Sequence, residues 1–386
     1  MTANTIPISQ AAERTPWIDL LRVIACALVV LAHCCDSFVG AFDTDRTAFI
    51  TGAAVGSMTR PSVPLFVLMT AVLLLPLRPE TTLRGFYRKR IGRILPPLVF
   101  WSIALPVLFF VYYRYINPAT LNPTIEVPSY TAGNLLQKIW LMVFNFNFDT
   151  VPLWYLYMLV GLYLIIPIIN SWLVTASRKD IRTVLYIWGF TLFIPYLKLL
   201  APHVGYEGNF GSMEILGACD WNQYGTFYYL TGFIGYMILA YYLRTWQLEW
   251  SMKKTLAVCV PMFAAGYAIT FLGFVKIQDF FPGDYSYLEV IWYFTGINVF
   301  MMTFPVLVLC SRIKMRHRPW LAKLAALTFG IYLCHFIFIY SSFDLYNELA
   351  IHPVFKILAM FATSFTAAAA LTWILSLNKI TKRFIA

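Results

Sequence analysis

Charged residues are scarce in this sequence. Asp, Glu, Lys and Arg together make up 12% of the 386 residues, whereas a typical soluble domain carries about 25%. Hydrophobic residues account for 60%, more apolar surface than one soluble core can hide. Lipid must therefore be the solvent for most of the chain. The composition excludes an ordinary soluble domain and predicts an integral membrane protein.

Several other signals are missing as well. The seven cysteines show no CxxC spacing, which argues against a zinc site or a disulfide framework, so no metal site is predicted. Residues 1–16 contain no apolar stretch, and no small-residue cleavage site follows the first apolar run, so we predict no cleavable signal peptide. No internal repeat and no long hydrophilic segment is visible. We expect a short cytoplasmic tail, 1–16, followed by one membrane domain, 17–386.

Ten apolar runs are long enough, or nearly so, to cross the roughly 30 Å of hydrocarbon in a bilayer. They predict an all-α membrane protein of about ten transmembrane helices with both termini in the cytoplasm. The segment 134–148 is either an interfacial helix or a loop. The ten predicted spans are 17–38, 61–77, 94–116, 152–174, 183–201, 224–243, 255–275, 287–310, 324–342 and 354–376.

The basic residues support this topology. Most of the 29 lysines and arginines fall in the segments that would face the cytoplasm, as the positive-inside rule requires. The formal net charge of +11 is thereby explained by membrane orientation, and no nucleic-acid partner is predicted.

The first predicted helix carries four ionisable side chains. Arg22 and His33 are eleven residues apart, which brings them to within about 20° of each other and about 16 Å apart along a helix. Asp19 and Asp36 lie three residues outside this pair, so all four share one stripe. Ionisable residues inside a membrane helix usually face the bundle interior and mark a function. The alternative is structural: Asp19 pairs with Arg22 at one interface, and His33 lies with Asp36 at the other.

The chain resembles a known family, acyltransferase family 3, over about residues 15–380. The resemblance rests on motifs that occur in the family's order. They are Asp19 and Arg22 followed by His33 in the first helix, VPLFVLMTAVLLL, Arg90 and Arg93 within FYRKRIGRILPP, VPLWYLYMLVGLYLIIPII, and TFGIYLCH ending at His335. One departure is Met69-Thr70-Ala71, which stands where the family usually has Ser-Gly, so we assign that segment no direct catalytic role.

The resemblance implies a multi-pass acyltransferase of the bacterial inner membrane that O-acylates a surface or lipid-linked glycan. The donor would be cytoplasmic acyl-CoA, with acetyl as the default and succinyl as an alternative. No cofactor would be bound permanently. Besides acyl-CoA, the expected partners are the glycan acceptor and membrane lipid; the acceptor's identity and the oligomeric state stay open.

Roles for individual residues follow from this resemblance and from the chemistry. His33 would be the general base, or a transient acyl carrier, with Asp36 and Asp19 as orienting residues. Arg22 would hold the donor's pyrophosphate or thioester carbonyl, or align the histidine. The guanidinium groups of Arg88, Arg90 and Arg93 match phosphate geometry and would bind the donor nucleotide; the alternative is that they only set the topology.

Four further residues are candidate substrate contacts. Tyr332 and His335 lie one helical turn apart in the ninth predicted span, although a buried histidine bonded to a nearby carbonyl is an equally good interpretation. Trp154 lines the acceptor path or anchors the helix at the membrane interface. Glu289 is a candidate acceptor contact.

A transporter or flippase for a lipid-linked glycan or small solute is the main competing hypothesis, because proton-coupled transporters also use intramembrane ionisable residues. The absence of a visible inverted repeat argues against it. No pore-like repeat supports a channel.

Overall fold

The computed structural model describes residues 16–206, 215–219, 222, 225–280 and 290–385, with backbone only at 278–280. Within these ranges the chain is helical and has no β-strand, as the sequence predicts; the only bridge is an isolated one between Cys219 and Asn222. Fourteen α-helices are described: α1 Pro16–Cys34, α2 Asp36–Val39, α3 Arg46–Met58, α4 Ser62–Leu74, α5 Leu83–Val111, α6 Ala132–Leu141, α7 Trp154–Leu173, α8 Arg178–Thr191, α9 Ile194–Leu200, α10 Ile234–Thr245, α11 Met252–Phe280, α12 Ile297–Arg312, α13 Pro319–Tyr346 and α14 Pro353–Ser376.

Nine helical stretches of the described chain are long and apolar enough to cross a membrane. The prediction of an all-α, multi-pass membrane protein is therefore confirmed. These stretches are Pro16–Val39, Arg46–Leu74, Leu83–Ile116, Phe148–Leu173, Arg178–Leu200, Met252–Ile277, Val290–Arg312, Pro319–Tyr346 and Pro353–Ser376. The orientation of the two termini stays a prediction, and the tail before Pro16 lies outside the described residues.

Three predicted boundaries need correction. The run predicted at 61–77 begins at Arg46 and is made of two helices, α3 and α4, separated by a break at residues 59–61. In the described part of the run predicted at 224–243, α10 is the one α-helix, and its 12 residues span about 18 Å at 1.5 Å per residue. The helix predicted to start at residue 94 starts at Leu83.

The early start of α5 has a local cause. The Thr82 side chain accepts a hydrogen bond from the Gly85 backbone N–H and so caps the helix. Arginine and lysine are good helix formers and can extend their charged ends toward water from the end of a membrane helix. Arg88, Arg90 and Arg93 therefore belong to the helix itself, not to a loop before it.

Of the segment 134–148, for which a helix or a loop was predicted, the part up to Leu141 is helical and residues 142–147 are not. α6 covers Ala132–Leu141 and lies against α5. The Thr131 side chain caps it by accepting from the Asn134 N–H. Its Leu136 and Trp140 side chains are exposed, and such apolar exposure is typical of an interfacial helix.

The core is built around α1, which contacts α4, α13 and α14. Leu21, Ala25, Cys26 and Val30 of α1 are fully buried. The Cys26 thiol donates to the Thr328 carbonyl of α13 at 3.4 Å. This packing holds the middle of α1 against the first half of α13.

Candidate active site

His33 and Asp36 are joined at the end of α1. The helix stops at Cys34, and Asp36 opens the short α2. The His33 Nδ1 and an Asp36 carboxylate oxygen are 2.7 Å apart. The His33 side chain is 19% exposed. An ionised carboxylate can only accept here, so the bond places a proton on Nδ1, and in the neutral ring the lone pair is on Nε2.

His335 of α13 lies directly beside His33. The two ring centroids are 5.4 Å apart, and His335 is fully buried. Its Nδ1 lies 2.7 Å from the Tyr332 carbonyl oxygen, which can only accept, so Nδ1 carries the proton. Its Nε2 has no hydrogen-bond partner among the described residues. The bond to a neighbouring carbonyl is therefore present, and the ring also lies against His33; contact of His335 with a substrate stays a prediction.

Aromatic rings enclose the histidine pair. Phe336 meets His33 edge-on at 5.3 Å between centroids, and Phe109 of α5 packs on Phe336 at 5.8 Å. Phe148 and Tyr340 extend this wall, with 5.9 Å between their ring centroids. The surroundings of the two imidazoles are thus largely apolar, which strengthens electrostatic interactions made there.

Tyr332 and Trp154 have different neighbours. The Tyr332 hydroxyl donates to the Pro152 carbonyl, and its ring lies 6.1 Å from that of His335. The half-buried Trp154 stacks on Phe294 at 5.6 Å. Tyr332 is thus brought next to the histidine pair, whereas Trp154 packs toward Phe294. Glu289 lies outside the described residues.

Arg22 and Asp19 form the second pair on α1. The Arg22 Nη1 and an Asp19 carboxylate oxygen are 3.6 Å apart, and the Arg22 side chain is 37% exposed. This contact is looser than the one between His33 and Asp36. A half-exposed guanidinium in a long ion pair keeps most of its five N–H donors available for a ligand.

Arg88, Arg90 and Arg93 lie at the beginning of α5. Arg90 is half-buried, while Arg88 and Arg93 are exposed. Arg90 and Arg93 are three residues apart on the helix and so share a face, as the sequence predicts. Tyr163 of α7 lies within electrostatic range of both guanidinium groups and packs on Phe86 of α5 at 6.3 Å.

Sequence reasoning missed a second group of arginines. A cavity of about 410 Å³ lies between α1, α4, α10 and α12, and Arg244 and Arg312 contribute to its lining. The Arg244 guanidinium donates to the carbonyls of Val72 and Leu75 at 2.6 and 2.7 Å. Arg312 donates to the carbonyls of Leu248 and Trp250. Nothing in the sequence separates these two arginines from the others that set the topology.

The structural role of Arg60 was also not predicted from the sequence. It lies in the break between α3 and α4, inside one candidate membrane span. Its Nε and Nη2 donate to the Trp292 carbonyl at 3.1 and 2.8 Å, and its guanidinium lies 4.3 Å from the Phe294 ring centroid. The sequence does contain one signal for this break, an arginine directly before Pro61 within an apolar stretch.

Comparison with known proteins identifies the family. A family model for the acyltransferase domain, acyltransferase family 3, matches residues 15–376. Comparison with curated proteins and with solved structures gave no match. The match covers nearly the whole chain and includes every motif on which the resemblance rested. The chain therefore belongs to acyltransferase family 3 and is a multi-pass membrane acyltransferase.

Proposed function

We propose that this protein transfers an acyl group, acetyl by default, from cytoplasmic acyl-CoA to a hydroxyl of a surface or lipid-linked glycan in the bacterial inner membrane. The observation that carries this proposal is the 2.7 Å contact between His33 Nδ1 and Asp36. The contact places a proton on Nδ1, so that in the neutral imidazole the lone pair that a general base requires lies on Nε2.

In the proposed reaction, His33 Nε2 takes the proton of the acceptor hydroxyl as the oxygen attacks the thioester carbonyl carbon. The carbon–sulfur bond then breaks, and the thiolate of coenzyme A takes up a proton from the His33 imidazolium. The products are the glycan ester and free coenzyme A, and His33 returns to its starting state. Asp36 stabilises the imidazolium that forms in between.

His335 is a candidate contact for the reacting groups in this scheme. Its unpartnered Nε2 is buried next to His33, and a buried acceptor without a partner costs free energy until a donor reaches it. A hydroxyl or amide N–H of a bound substrate would supply that donor.

The donor would enter from the opposite end of α1. The half-exposed guanidinium of Arg22 suits a phosphate or the thioester carbonyl. Arg88, Arg90 and Arg93 on α5 suit the anionic nucleotide, because several cations close together raise the local concentration of an anionic ligand.

The proposal is tested first by glycan analysis. A strain that lacks the gene is compared with its parent by mass spectrometry of the surface glycans. We expect one polymer to lose the mass of one acyl group, and that mass identifies both donor and acceptor. Unchanged acylation of every glycan would contradict the proposed acceptor class.

Purified protein provides the second test. Incubation with acetyl-CoA and a thiol-reactive dye should show free coenzyme A released in proportion to added acceptor glycan. A transporter or flippase would release none but would move the glycan across vesicle membranes. Glycan movement without thiol release would overturn the transferase proposal.

A further inference from the structure

A groove on the surface beside α6 has a mostly apolar lining that also carries several side-chain amides. It has a volume of about 510 Å³, within the roughly 300–1,000 Å³ of most small-molecule sites. Four side-chain amides and two aromatic rings contribute to its lining. We call it the amide groove and define it by Asn134, Gln137, Asn145 and Asn147 together with Phe144 and Phe146.

The amides of this groove are only partly used inside the protein. Asn134 donates through Nδ2 to the Ser129 carbonyl at 2.7 Å, which leaves its carbonyl oxygen for a ligand. The side-chain oxygens of Asn145 and Asn147 accept from the backbone N–H groups of Phe146 and Asp149, which leaves their NH₂ groups. Within the described part of the chain, the Gln137 side chain makes no hydrogen bond. The groove thus offers both donors and acceptors, which sugar hydroxyls match because each hydroxyl can donate and accept.

Charge in the groove is already neutralised. Its one ionisable side chain is Lys138, whose Nζ lies 2.7 Å from a carboxylate oxygen of the fully buried Asp149. The Tyr130 hydroxyl donates to the other oxygen of Asp149 at 3.0 Å; burial, with the neighbouring Asp149 carboxylate, raises the pKa of this hydroxyl, which keeps it protonated. With the ammonium held by Asp149, the lining favours a neutral ligand over a phosphate or an anionic lipid headgroup.

The groove includes Asn147, which directly precedes a ring in the wall of the histidine pair. Asn147 caps the 3₁₀ turn Phe148–Leu153. The Phe148 ring in that turn lies 6.5 Å from Phe336, and Phe336 contacts His33 at 5.3 Å. A ligand in the groove would therefore lie two ring contacts away from the proposed base.

The position of α6 relative to lipid adds a constraint. At 100° per residue, the groove-lining Asn134, Gln137 and Lys138 share one arc of the helix, while the exposed Leu136 and Trp140 lie on another. Tryptophan at an exposed site favours the membrane interface. The groove would thus hold its ligand at the level of the membrane surface.

We propose that the amide groove binds a neutral sugar unit of the acceptor glycan, next to the unit that is acylated. The statement that the sugar belongs to the acceptor glycan rests on the proposed function. The statement that the groove binds a neutral sugar does not. The rings of Phe144 and Phe146 would pack against the C–H face of the sugar, and the four amides would select its hydroxyls.

The test is saturation-transfer NMR of the detergent-solubilised protein. The probes are the methyl glycosides of glucose, galactose, mannose and N-acetylglucosamine, with glycerol 3-phosphate as the anionic comparison. We expect at least one glycoside to bind to the wild type. Its affinity for the double variant Gln137→Ala with Asn145→Ala should be about tenfold lower, because two hydrogen bonds are lost. Phe144→Ala, which removes an exposed ring of the groove, should also bind the glycoside more weakly than the wild type. Leu136→Ala, on the same helix but outside the groove, should bind like the wild type.

Each outcome decides between the two proposals. Binding that is lost in the groove variants and kept in His33→Ala supports the groove even if no acyl transfer is found, and in that case only the proposed function fails. Absence of binding by all four glycosides, equal binding by the groove variants, or preferential binding of glycerol 3-phosphate would each overturn the groove proposal, whatever the transfer assay shows.

Discussion

The two ends of α1 carry the same arrangement with different geometry. In each pair a base and an acid are three residues apart, Asp19 with Arg22 and His33 with Asp36. The pair at the C-terminal end is short, at 2.7 Å, and its histidine is mostly buried. The pair near the N-terminal end is 3.6 Å long, and its arginine is more exposed. Equal spacing in the sequence therefore does not imply an equal role. The tight pair fixes a tautomer, and the loose pair leaves a guanidinium for a ligand.

The largest effect among the partner residues is expected at Asp36. In Asp36→Asn the imidazolium loses its stabilising charge, and the amide can hold the wrong His33 tautomer. We expect the kcat of acyl transfer to fall about 10- to 100-fold with little change in the KM for acyl-CoA. Asp36→Glu should restore part of the rate. A kcat close to that of the wild type in Asp36→Asn would show that the short contact has no catalytic role.

Arg22→Ala should act on the donor. Loss of a charged hydrogen bond to phosphate or carbonyl is expected to raise the KM for acyl-CoA about tenfold, and Arg22→Lys should recover part of this loss. Steady-state kinetics over a range of acyl-CoA concentrations measures the effect. A fall in kcat with KM unchanged would instead assign Arg22 to alignment of the histidine.

Arg90→Ala with Arg93→Ala should weaken binding of acyl-CoA about fivefold, because cations that stay partly or fully exposed each contribute up to about 1 kcal/mol. Calorimetry in detergent measures the affinity, and added salt should reduce the difference between variant and wild type. The matched control is Arg78→Ala with Arg84→Ala, at two exposed arginines of the same region. If the test variant and the control bind acyl-CoA with equal affinity, Arg90 and Arg93 have no role in donor binding and act only in topology.

The smallest effect is expected at Asp19. Its contact with Arg22 is long and partly exposed, and such pairs contribute about 0.2–1 kcal/mol. Asp19→Asn should therefore change kcat and KM less than about threefold. A loss as large as that of Asp36→Asn would contradict the distinction between the two ends of α1.

The polar stripe of α1 could be predicted because it depends on one helix only. The 3.6-residue period fixes the relative directions of Asp19, Arg22 and His33 before any packing is known, and the structure contains both pairs. The start of α5 was predicted eleven residues too late, because hydropathy marks the apolar run and not the basic turns that extend the helix to Leu83.

Contacts between distant parts of the chain could not be derived from periodicity. The histidine pair joins α1 to α13, and the nearby bond from Cys26 to Thr328 spans 302 residues of sequence. Only the family motif ending at His335 hinted that these helices share a site. The cavity with Arg244 and Arg312 and the break at Arg60 had no such motif, and each depends on carbonyl groups exposed by a helix end or a neighbouring loop.

The most direct test of the account is the rate of acyl transfer by His33→Ala, measured as free coenzyme A released in the presence of acceptor. We predict a loss of at least about 100-fold, with acyl-CoA affinity and thermal unfolding unchanged. His317→Ala, at an exposed histidine remote in sequence, should transfer at the wild-type rate. Transfer by His33→Ala within a few-fold of the wild type would contradict the assignment of His33 as the base.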